Sequence, residues 1–114
     1  MDFNSVADTE VTINLPEFVD RYQVQSVWID NANARIVTAT AGLFTAASAQ
    51  GFAIAPSQLL SITNNTTDTI SNAQSMTLTN PTAIVFSDKT LYFNVSVAEG
   101  AAAKADVHII IQLL

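Results

Sequence analysis

With 114 residues, 49% of them hydrophobic and 12% charged, the chain has room for one core and about half the usual charged share of a globular domain. Ten acids against Arg21, Arg35, Lys89 and Lys104 leave a formal net charge of −6. The four cations are scattered, which argues against nucleic acid as a partner, and the absence of cysteine excludes a disulfide framework or a thiolate metal site.

The segment Met1 to Glu10 carries Asp2, Asp8 and Glu10 and lacks the basic start and apolar run of a secretory signal, so synthesis in the cytoplasm is expected. No apolar run, Ile109 to Ile111 included, approaches the roughly 18 residues of a membrane helix, and no membrane partner is expected. The sequons at Asn64, Asn65 and Asn94 read as accidents of an Asn/Thr-rich chain.

Along the chain, Val11, Ile13 and Leu15 alternate with Thr12 and Asn14, the period of two of a half-buried strand that Pro16 ends. Residues 17–21 read as a turn or a single helical turn. From Tyr22 to Ile29, Tyr22, Val24, Ser26 and Trp28 share one face and Val27 and Ile29 the other, which predicts a strand that is central or bulged. Asp30, Asn31 and Asn33 supply turn chemistry. Residues 35–45 read as extended, with Gly42 marking a bulge or a close backbone approach, and residues 46–50 as a turn.

Gly51 to Ile54 make a short strand closed by Pro56, and Pro56 to Ile62 is the one helical candidate, because Pro suits a first helical turn. Residues 64–75 read as a hydroxyl-rich loop and Met76 to Leu78 as a short strand. Ala83 to Phe86 and Leu91 to Val97, with a turn at Ser87, Asp88 and Lys89, predict a hairpin in which Leu91, Phe93, Val95 and Val97 face inward. Residues 98–105 form a loop, and Asp106 to Leu114 the last strand. Seven to nine short strands with at most one short helix indicate an all-β domain, a β-sandwich or jelly roll. Residues 1–20 form an N-terminal arm with the first strand, and residues 21–114 the sandwich.

No catalytic, cofactor or metal constellation stands out, so a non-enzymatic protein is expected. His108 is the lone histidine and reads as packed or edge-facing, although Asp106 shares its face by spacing and the two can form a pH-sensitive contact. Asp30, Asp68, Asp88, Glu99 and Asp106 fall in or beside loops. A pair of them meeting in space would suit Ca²⁺ or glycosidase chemistry, but solvated turns are the simpler reading. Most aromatic residues are needed for the core, and Tyr92, on the polar face of its strand, is the candidate partner contact.

The stretches RYQVQSVWIDNANA (21–34), TATAGLFTAASAQGFAI (38–54) and KTLYFNVSVAEGAAAKADVHIIIQLL (89–114) together resemble small accessory virion proteins of tailed bacteriophages. That resemblance covers residues 21–114 and implies a β-sandwich or jelly-roll virion protein of the capsid decoration (cement) kind, which clamps coat subunits on the outer shell. A neck, tail or spike component of the particle and a carbohydrate-binding module are the alternatives. The implied partners are the major capsid protein or other virion proteins, with a homotrimer as the expected assembly. Phe3 and Val6, in an arm that orders only against a neighbour, join Tyr92 as the expected partner-binding residues.

Overall fold

The computed structural model describes residues 1–62, 73–79 and 84–114. Seven strands occur among them: β1 (Ala7–Thr12), β2 (Tyr22–Asp30), β3 (Thr40–Ala46), β4 (Gln50–Leu59), β5 (Gln74–Ser75), β6 (Thr90–Val97) and β7 (Asp106–Leu113). They form two antiparallel sheets, one of order β1-β6-β3-β4 and one of order β5-β2-β7. The fold is all-β, a two-sheet sandwich, as the period-two patterning predicts.

The core lies between the sheets. Leu91, Phe93 and Val95 of β6 and Ala41 and Leu43 of β3 meet Tyr22, Val24, Val27 and Ile29 of β2 in one buried cluster. Within β2 the ladder to β7 slips between Val24 and Ser26, leaving Gln25 as the extra residue of a bulge. The extra residue reverses the phase of the alternation. Tyr22 and Val24 before it and Val27 and Ile29 after it all point inward, and Trp28 turns out to the surface with 38% of its area exposed. The face division read from strict alternation, with Trp28 beside Tyr22, is thereby corrected, while the predicted bulge is present.

Gly42 is a site of close approach. A Cβ there would stand 2.6 Å from the Ala55 carbonyl oxygen and 2.9 Å from the Ser57 nitrogen, both backbone atoms of β4, and the β3 ladder is irregular on either side of Leu43. The turn at residues 47–49 places Ser48 and Ala49 at positive φ, and Asn31 closes β2 in the same left-handed region (φ 53).

Three local readings are corrected by long-range pairing. Pro56 to Ile62 is not helical: β4 runs through Pro56 to Leu59, with Ala41 opposite Gln58 and Thr40 opposite Leu59. As an edge strand β4 tolerates the missing proline donor. The side chain of Gln58 accepts from the Thr77 backbone N–H (2.9 Å) and donates to the Thr77 carbonyl (3.1 Å), standing in for a neighbouring strand. The predicted 83–97 hairpin does not form either. β6 pairs with β1 and β3, whereas Phe86 bridges to Tyr22 through two backbone hydrogen bonds (2.8 and 3.0 Å); Ala83 lies outside the described residues. In the 74–78 region, residues 74–75 rather than 76–78 form the strand, and Met76 follows as a buried core residue whose N–H donates to the Val27 carbonyl.

The N-terminal arm is corrected as well. Phe3 is fully buried and packs edge-to-face on Phe93, with ring centroids 5.9 Å apart. Its N–H donates to the Ala103 carbonyl and its carbonyl accepts from the Glu99 N–H, both at 2.9 Å, while Asn4 Oδ1 accepts from the Gly100 N–H. The loop 98–105 is thus the seat of residues 1–4. The same loop sends the Glu99 carboxylate to accept from the N–H groups of Val37, Thr38 and Ala39 at 2.8–3.0 Å. These bonds satisfy the donors of a segment that lies between strands.

Candidate interaction surface

The three residues expected to contact a partner are not brought together. Phe3 is in the core of its own chain. Val6 is 64% exposed just before β1. Tyr92 is half-buried, lying in β6 between Glu10 of β1 and Phe44 of β3. Only Val6 of the three is an open apolar surface residue.

A different surface is built by the sheet edges. β4 is interrupted by Pro56 and by three irregularities in its ladder, β5 is two residues long, and β1 carries Asp8 and Glu10. Short length, proline, bulges and charge are the devices by which sheet edges avoid pairing with another chain. β7 has none of them beyond a single charge at its start. It is eight residues long, its ladder slip lies on the β2 side, and Asp106 at its start is its one charged residue. Ile110 and Leu113 of this strand are 47% and 44% exposed.

β7 and β1 are each the last strand of their sheet, and residues of both line one open groove of about 630 Å³. Its walls are chiefly apolar: Met1, Val11 and Ile13 on one side, Val107, Ile109 and Ile111 on the other. The three β7 residues are only half-buried although they pack against the core. Among the described residues the sandwich is therefore incompletely closed along this seam, and an apolar segment laid there would complete the burial.

A second exposed feature was not legible in the sequence. Phe18, in the connection from β1 to β2, is 96% exposed and adopts φ 68. Positive φ is costly for a bulky side chain, and an aromatic ring left in water forgoes about 1.5–3 kcal/mol of burial. The only sequence signal for it is an apolar residue between Glu17 and Val19 in a turn.

The lone histidine has a partner that the sequence does not reveal. His108 Nε2 stands 2.7 Å from Asp30 Oδ1, and its ring lies 5.1 Å from that of Trp28, its opposite number on β2. Asp106 shares the neighbourhood, as its spacing from His108 suggests, and accepts from Asn31 Nδ2 at 3.1 Å. Comparison with family models, with curated proteins and with solved structures finds no match to this chain.

Proposed function

We propose that this chain is a non-enzymatic structural protein of a tailed-phage particle, a capsid decoration protein that binds the major capsid protein and stabilises the head. It is made in the host cytoplasm and resides in the virion. The observation that carries an assembly role is the undefended β7 edge beside an apolar groove, since a strand of that composition left open pairs with other chains. The resemblance of residues 21–34, 38–54 and 89–114 supplies the class of particle. The expected assembly is a homotrimer bound to the shell, with the β7 edge covered in a subunit contact.

Light scattering at micromolar concentration, paired with co-sedimentation on purified phage heads, tests this reading. The wild-type chain should scatter as a trimer and sediment with heads. Ile110→Lys, which places a charge on an exposed position of the β7 edge, should leave the far-ultraviolet circular dichroism unchanged and abolish both. A strict monomer without affinity for particles refutes the proposal, and a trimer that sediments only with tails or necks moves it to another part of the particle.

A further inference from the structure

We propose that Asp30, Asp106 and His108 form a binding site for one divalent transition-metal ion, with Zn²⁺ the best match. The inference does not depend on the virion reading. It begins with strand register: Asp30 stands directly opposite Asp106 in the β2–β7 ladder, and Trp28 directly opposite His108. Side chains two apart on a strand share a face, so both carboxylates and the imidazole emerge on one side of the sheet. Their ligand atoms all lie within 4.8 Å of one another. Donors bound to one tetrahedral Zn²⁺ at about 2.0–2.2 Å sit roughly 3.3 Å apart. The set therefore gathers by small side-chain movements, the 2.7 Å contact between His108 Nε2 and Asp30 Oδ1 opening slightly and the wider ones closing.

Two observations favour a cation over a simple cross-strand ion pair. Like charges directly opposite in an antiparallel ladder repel, and Asp30 and Asp106 are such a pair. In addition, Asn31 Nδ2 donates to Asp106 Oδ2, and Asn31 is held at φ 53, which turns it back toward β7. A fixed outer hydrogen bond that orients a carboxylate and leaves its other oxygen available is the usual support of a metal ligand.

The donor set selects the ion. One imidazole nitrogen with two carboxylates suits Zn²⁺ and its first-row neighbours, whereas Ca²⁺ and Mg²⁺ favour six or more oxygen donors. The His108 and Asp30 side chains are 41% and 34% exposed, so water can complete the coordination. Such an ion would pin the end of β2 to the start of β7.

The sole tryptophan, 5.1 Å from the sole histidine, is a built-in reporter. Ni²⁺ titrated onto chelator-treated protein should quench Trp28 fluorescence saturably at one ion per chain, with reversal by EDTA and competition by Zn²⁺. Calorimetry with Zn²⁺ alone should give the same stoichiometry without relying on Trp28. H108Q should abolish binding, and D30N and D106N should each weaken it at least ten-fold while leaving the circular dichroism unchanged. N31G, which keeps the backbone conformation and removes the amide, should weaken it several-fold. No Zn²⁺ heat up to millimolar concentration overturns the proposal. So does wild-type affinity in D30N and D106N, which would leave only adventitious binding to a single histidine.

Discussion

Phe3→Ala tests whether the first residues belong to the core. The ring is fully buried and meets Phe93 edge-to-face at 5.9 Å, with planes 81° apart. Burial of the ring contributes about 1.5–3 kcal/mol, and the cavity left by its deletion raises the expected loss to about 3–5 kcal/mol. The backbone bonds of residue 3 to Ala103 and Glu99 survive the substitution, so the change isolates the side chain. A chain of 114 residues has a stability on the order of 6–17 kcal/mol, so the variant should remain folded with a clearly lower midpoint. Urea unfolding followed by Trp28 fluorescence measures it. Combined with Phe93→Ala, the double-mutant cycle should give a coupling of about 0.5–1.5 kcal/mol for the ring pair. A loss under about 1 kcal/mol, with no coupling, would mean that residues 1–4 leave their seat in solution.

Two further predictions rest on single contacts. Gly42→Ala should destabilise by about 1–3 kcal/mol, because the new methyl meets backbone atoms of β4 at 2.6–2.9 Å and these cannot rotate away; an unchanged melting temperature would refute that close approach. Tyr22 has its phenol pKa pushed up to about 12 from the ordinary 10, by burial and then by the negative charge of Asp88. Below pH 10 the phenol is protonated in both states and its contribution is complete. Between pH 10 and 12 the unfolded chain releases the proton first, so stability falls as pH rises. Tyr22→Phe should flatten that part of the denaturation profile, and a slope equal to wild type would show that another group causes the decline.

What the sequence made legible was local. The crowding of apolar residues on both sides of Val24 to Ile29 points to a central or bulged strand, Asp30 and Asn31 to a turn, and Gly42 to a bulge or a close approach, and the structure has a bulge, a left-handed Asn31 and a close approach at these places. What it hid was set by pairing across the chain. Pro56 to Leu59 has the composition of a helix start, yet the ladder to β3 outweighs that preference. Phe86 lies near Leu91 in sequence, but its partner is Tyr22, 64 residues away, and no periodicity reports which strand a strand will join. Phe3 lies in an acidic segment with little else to bury; its partners Phe93, Glu99 and Ala103 are all distant in sequence.

The candidate surfaces divide along the same line. His108 and Asp30 are 78 positions apart, and the donor cluster exists only because β2 and β7 pair in the one register that places Asp30 opposite Asp106. A slip of one residue would send His108 to the opposite face of the sheet from Asp30. The β7 edge, by contrast, is written in the sequence once its position is known. Val-His-Ile-Ile-Ile-Gln-Leu-Leu has no lysine, no proline and no glycine, a composition suited to a central strand covered on both faces. Among the described residues the fold instead puts it last in a three-stranded sheet, with one edge open and its inward residues half-buried. A strand or chain laid along β7 would bring composition and position back into agreement, and the substitution of Ile110 by lysine is the test of that proposed contact.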